Sequence, residues 1–128
     1  MDDFEIHKYK VKKVRRFSHH PQAGYVVKGR VWLEKDGELY LGWGRVLLLE
    51  NIARHGSIAR AAQSMGLGYR NAWLWVQAMN RLAPAPLVEV VTGGAGGNHA
   101  RLTDEGHKAV AEYKKLQHKV QESLASDK

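Results

Sequence analysis

The spacing of apolar residues changes period twice along this chain. Between positions 28 and 41 two short β-type runs, Val31-Trp32-Leu33 and Leu39-Tyr40-Leu41, flank Asp36-Gly37. Gly adopts positive φ at little cost, so this pattern predicts one β-hairpin over 28–41. After Gly42-Trp43-Gly44 the period becomes helical. Leu48, Leu49, Ile52 and Ala53 form one buried stripe, predicting a helix over about 45–55 that stops at Gly56. The Ser57 hydroxyl can satisfy a free amide and predicts the N-cap of a short helix, Ile58–Met65. Ala61 and Ala62 permit close helix packing. Gly66-Leu67-Gly68 turns the chain into a third helix over 69–82, with Ala72, Val76 and Met79 facing inward and Pro84 and Pro86 ending it.

The period then shortens again. Leu87–Val91 is β-rich, Thr92–His99 is a Gly-rich loop, and Ala100-Arg101-Leu102 returns as a partner strand. Thr103 caps a last helix over 103–124, with Asp104 and Glu105 at its positive end. Val110, Tyr113, Leu116, Val120 and Leu124 recur at helical spacing, a stripe that needs a partner surface. Residues 1–27 lack clear periodicity and read as a partly disordered basic arm, with Val26-Val27 a candidate strand start. The expected class is α+β, mainly α. Helix, short helix, Gly turn, helix, strand, Gly loop, strand is the order of a winged helix-turn-helix. It spans 28–128, with the helix-turn-helix at 45–82 and the wing at 87–102.

Charge sharpens this picture. The formal net charge is +7, and it is unevenly spread. Residues 1–27 carry six Lys/Arg against three acids, and residues 42–102 carry six Arg, no Lys and two Glu; the remainder balances. A basic excess favours polyanionic partners, and Arg suits bidentate contact with phosphate or guanine. The absence of Cys removes disulfides, thiolate metal sites and thiol nucleophiles, and fits a cytoplasmic location. The acidic start is not a secretory signal, and no apolar run approaches the roughly 20 residues of a membrane span.

A helix-turn-helix presents its third helix to the DNA major groove. Tyr69, Arg70, Trp73, Leu74 and Gln77 fit one outer face of that helix, with Asn71 beside them. Arg70 suits phosphate or guanine and Gln77 suits adenine. For Trp73 core packing weighs more than DNA contact, and Trp75 suits packing or a protein interface. Ser57 and Arg60 stand where the preceding helix meets phosphate. Gly93, Gly94, Gly96, Gly97, Asn98 and His99 form the wing tip, where missing side chains permit close approach to the DNA backbone. Gly97-Asn98-His99 lacks the Gly-Lys-Ser/Thr end of a nucleotide loop. The seven His show no zinc spacing, and no nucleophilic triad or carboxylate pair assembles, so neither an enzyme nor a metal or cofactor site is expected.

Gly56-Ser57-Ile58-Ala59-Arg60-Ala61-Ala62 with Met65-Gly66-Leu67-Gly68-Tyr69 resembles the helix-turn-helix of LysR-type and ModE-type molybdate regulators. Tyr69-Arg70-Asn71-Ala72-Trp73, Met79-Asn80, Leu87-Val88-Glu89, Thr92-Gly93-Gly94-Ala95-Gly96-Gly97 and Leu102-Thr103-Asp104-Glu105-Gly106 are closer to the ModE type. The resemblance covers about 29–124 and implies a DNA-binding domain that forms homodimers through its long last helix. ModE-type regulators usually continue into molybdate-binding domains. This sequence ends at Lys128, so molybdate sensing by that route is not expected, and no small-molecule effector is recognisable from the residues. Leu74 and Trp75 depart from the polar residues common on recognition helices. The resulting expectation is a sequence-specific transcriptional regulator of double-stranded DNA. The alternative is a protein-interaction module on the same fold, docking through Trp73, Leu74 and Trp75.

Overall fold

The computed structural model describes residues 24–91 and 99–125. Most of the expected basic arm and the Gly-rich loop, with Gly93, Gly94, Gly96, Gly97 and Asn98, lie outside the described residues. The elements run β1 (Leu33–Lys35), β2 (Glu38–Leu41), α1 (Trp43–His55), α2 (Ile58–Met65), α3 (Tyr69–Leu82), β3 (Val88–Val91), β4 (His99–Leu102) and α4 (Asp104–Ala125). The chain is mainly helical, in the order of a winged helix-turn-helix.

The first hairpin forms where Asp36-Gly37 predicts it. Both residues have positive φ, 52° and 80°, the turn geometry whose twist matches the flanking strands. Pairing runs Lys35 to Glu38 and Glu34 to Leu39, then shifts so that Leu33 meets Leu41. Past that irregularity the ladder ends, so Val31 and Trp32 precede β1 instead of extending it. The strand expected at Val26-Val27 does not form either. Side chains of α4 hold this segment in place of a sheet partner. Gln121 donates from Nε2 to Val27 O at 2.8 Å and accepts from Gly29 N at 3.3 Å. Tyr113 donates its hydroxyl to Val31 O at 2.7 Å. Burial pushes the Tyr113 phenol pKa up, which keeps it in the donating form.

Helix α1 starts two residues before the expected position. Gly42 is extended, and its carbonyl accepts from Val46 N at 2.9 Å, which closes a first turn containing Trp43 and Gly44. The buried stripe of α1 is Val46, Leu48, Leu49 and Ile52; Ala53 is exposed, bordering a shallow groove between α1 and α4. These residues meet Ile58, Ala61 and Ala62 of α2, Ala72, Val76 and Met79 of α3, and Ala109 and Tyr113 of α4 in one core. The stripe of α4 is divided. Tyr113 and Leu116 are buried, whereas Val110, Val120 and Leu124 are half-buried, with Leu124 against Gly29.

The wing joins the helices through the backbone of Leu87. Asn80, in the last turn of α3, accepts from Leu87 N at 2.8 Å and Val88 N at 3.1 Å, and donates to Val88 O at 3.0 Å. Leu87 O accepts from Thr103 N at 2.9 Å. Thr103 also caps α4, accepting from Gly106 N at 3.0 Å and donating its hydroxyl to Pro86 O at 2.6 Å. Gly106 lies so close that an added Cβ would stand 2.2 Å from Leu87 O. On the return side, Ala100 N donates to Gly56 O at 2.8 Å and ties β4 to the corner between α1 and α2.

Two outcomes follow from this junction. Helix propensity alone favours Ala over Gly by about 1 kcal/mol at position 106. The clash with a backbone carbonyl outweighs it, so Gly106→Ala lowers stability by about 1–3 kcal/mol in urea denaturation. Asn80→Ala strips the acceptor from two wing amides and costs about 2 kcal/mol in the same assay.

Candidate nucleic-acid interface

Helix α2 and the turn after it set the pose of α3. Ser57 caps α2 by accepting from Arg60 N at 3.0 Å, as its sequence position predicts. Gly66 ends α2 at φ 67°, the left-handed conformation that favours glycine, and Leu67 N reaches back to Ala62 O at 2.9 Å. Helix α3 starts from an extended Gly68 with no side-chain cap. Its first amides therefore have no intrahelical acceptor and face outward at the positive end of the helix dipole.

The outer face of α3 is the one read from its spacing. Ala72, Val76, Met79 and Leu82 are buried, and Tyr69, Arg70, Asn71, Trp73, Leu74 and Gln77 are all exposed. Trp73 departs from the core expectation, with 42% of its surface in water. It follows Ala72 by one residue, about 100° around the helix, so the phase that buries Ala72 and Val76 turns Trp73 outward. Trp75 is half-buried and packs against the core. It lines a cleft of about 720 Å³ together with Trp32, Trp43, Arg45, Tyr113 and Gln117.

Charge along the helix-turn-helix sequence is one-signed. Glu50 and Glu89 bracket a stretch without any acid that contains Arg54, Arg60, Arg70 and Arg81. The six arginines of the middle segment divide into two groups. Arg81 pairs with Glu38, with one contact at 3.1 Å, and that hydrogen bond holds the Glu38 carboxyl below its usual pKa. Arg101 pairs with Glu89 across the wing at 2.9 Å. Arg45 donates to Leu39 O at 2.8 Å and lies 5.9 Å from the centre of the Trp75 ring. Burial lowers its pKa, with Glu38 opposing. Arg54, Arg60 and Arg70 have no carboxylate partner among the described residues.

The wing supplies the second edge of the face. His99 is the first residue of β4, paired with Val91, and not part of the loop as its neighbours suggested. Strand β4 thus begins one residue earlier than the Gly run implies, and His99 is exposed. Asn80 positions the wing, a role that the spacing of candidate contact residues does not reveal. Its signal was a polar side chain in the last turn of α3, seven residues before the strand it holds. Among the described residues no three or more His, Asp or Glu side chains gather to hold a metal ion, and no helix is long and apolar enough to cross a membrane.

Sequence comparison places this arrangement. The model of the bacterial regulatory helix-turn-helix protein, lysR family, matches residues 43–107. The molybdenum transport protein ModE of Azotobacter vinelandii is 44% identical over 95 residues, covering 74% of this chain and 35% of that protein. The molybdenum-pterin-binding protein MopA of Rhodobacter capsulatus is 41% identical over 92 residues, or 72% of this chain and 35% of that protein. The DNA-binding transcriptional dual regulator ModE of Escherichia coli K12 is 36% identical over 98 residues, or 74% and 37%. The chain thus spans about a third of the length of the curated relatives it matches. With its helix-turn-helix, wing and following helix start all inside the matched segment, the chain belongs to the LysR family of bacterial regulatory helix-turn-helix proteins.

Proposed function

We propose that this chain is a sequence-specific DNA-binding transcriptional regulator, related to the ModE type, that binds double-stranded DNA as a homodimer. The observation that carries this reading is the outer face of α3. Its exposed side chains stand on a helix-turn-helix stretch with four Arg and no acid. In this reading α3 enters the major groove, Arg70 and Gln77 meet base edges, and Tyr69, Asn71, Trp73 and Leu74 complete the contact. Ser57, Arg60 and the uncapped amides of α3 meet phosphate. His99 and the loop glycines Gly93, Gly94, Gly96 and Gly97, with Asn98, approach the neighbouring backbone. Such a regulator works where the DNA is, which in a bacterium is the cytoplasm.

The dimer forms through α4. Tyr113 and Gln117 of α4 line the same cleft as Trp32 and Trp43, which are 55% and 54% exposed. Exposed tryptophans beside a long helix support a contact surface there. A two-fold arrangement places two copies of α3 on half-sites about one helical turn apart or more.

Fluorescence anisotropy against fragments of the encoding genome tests the DNA reading. Binding is expected to weaken steeply with salt, because contact with phosphate releases counterions. Arg70→Ala is expected to cost about 1–3 kcal/mol of binding. Absence of binding, or binding indifferent to salt, overturns it. Sedimentation equilibrium tests the dimer: twice the chain mass is expected at micromolar concentration for the wild type, and the chain mass for Trp43→Glu. A wild-type monomer rejects the proposed contact.

A further inference from the structure

We infer that Leu74 is a specificity-determining residue that recognises thymine through its 5-methyl group. The inference rests on the DNA-binding reading above and adds which base feature the face selects. Leu74 is 44% exposed on the outer face of α3, beside Trp73 at 42% and Tyr69 at 52%. The core is filled without it, by Ala72, Val76 and Met79 of the same helix. An apolar side chain presented on a groove-entering helix gains free energy only by displacing water from another apolar surface.

The major groove offers one such surface. Guanine, cytosine and adenine present donors and acceptors there, and thymine alone adds a methyl group. Leu74 against any other base edge would strip water from polar atoms and give no hydrogen bond in return. The alternative occupant, an apolar protein surface, fits the charge less well. Arg60 and Arg70 have no carboxylate partner among the described residues, and no acid lies between Glu50 and Glu89. Leu74 follows Arg70 by one helical turn, roughly 6 Å along the axis. That is about two base-pair steps of roughly 3.4 Å, so the thymine lies near the base or phosphate that Arg70 contacts.

The test begins with duplexes enriched from a random double-stranded library on the full chain. The best duplex is then resynthesised with 2′-deoxyuridine in place of thymidine, one position at a time, which removes the methyl and leaves every hydrogen-bonding group. Wild-type protein is expected to bind one substituted duplex about fourfold more weakly, the worth of one buried methyl. Leu74→Ala is expected to bind the thymine and uracil forms of that position equally, with circular dichroism unchanged because Leu74 packs in no core. Enrichment of a duplex whose uracil forms all bind the wild type equally well overturns the role of Leu74 and leaves DNA binding standing. A methyl effect that persists in Leu74→Ala assigns the contact elsewhere and also overturns it. Failure to enrich any duplex removes the DNA reading and this inference together.

Discussion

The arrangement of this protein depends on how closely α4 approaches the backbone at Leu87. Only glycine at position 106 allows it, since any Cβ there would meet the Leu87 carbonyl at 2.2 Å. That carbonyl takes its hydrogen bond from Thr103, and the Leu87 amide gives its own to Asn80. Three elements are thereby referred to one peptide: the end of α3, the start of the wing and the start of α4. The Leu87 side chain is fully buried, so the same residue anchors the junction on both its polar and its apolar side. The bond from Ala100 to Gly56 fixes the other edge of the wing to the corner between α1 and α2. Helix α3 and the wing strands consequently share one frame.

That frame leaves α3 free to expose side chains that a core would otherwise claim. Ala61 and Ala62 of α2 are fully buried and small, which lets α3 sit close through Ala72 and Val76. The inward half of α3 is complete with these and Met79. Tyr69, Trp73 and Leu74 then contribute nothing to the interior, and their exposure is an unrecovered hydration cost in the isolated chain. Single exposed apolar residues are ordinary on any surface. Three on one helical face beside Arg70 form the apolar part of the surface proposed above to meet DNA.

Much of this was legible from residue spacing. Ser57, Gly66 and the proline pair delimit α2 and α3 at the observed residues, because caps and breakers act locally. Asp36-Gly37 sets its hairpin for the same reason. For Trp73 the spacing that puts it on the outer face prevails over the expectation of core packing, since Ala72, Val76 and Met79 fill the inward side of the same helix. Other features have no local signature. Gln121 reaches Val27 and Gly29 more than ninety residues away, so the pattern around Val26-Val27 cannot reveal that a side chain replaces a strand partner. Gly106 reads as a weak spot early in a helix until the carbonyl beside it is known. His99 belongs to β4 through its pairing with Val91, a register that the composition of the Gly loop does not encode.

Charge shows the same limit most clearly and has the larger consequence. A count of arginines treats the six between residues 42 and 102 alike, but three of them are committed inside the fold. The Arg81–Glu38 and Arg101–Glu89 pairs are exposed, and such pairs contribute little stability. Their role is geometric: one ties the first hairpin to the end of α3, the other braces the wing strands. Arg45 is spent on the carbonyls of β2 and the Trp75 ring. Arg54, Arg60 and Arg70 remain, with no carboxylate at ion-pair distance among the described residues. Each phosphate neutralised contributes to affinity through counterion release, so in the proposed complex these three arginines by themselves supply only a small, sequence-indifferent part of the affinity. In the proposed homodimer that number doubles and the outer faces of two α3 helices meet one duplex. A lean non-specific term also widens the ratio between specific and non-specific sites, provided that the base contacts of α3 supply the difference. The division of arginines into bracing and unpaired groups therefore fits the proposed reading, in which selectivity comes from the outer face of α3 in each half of a dimer.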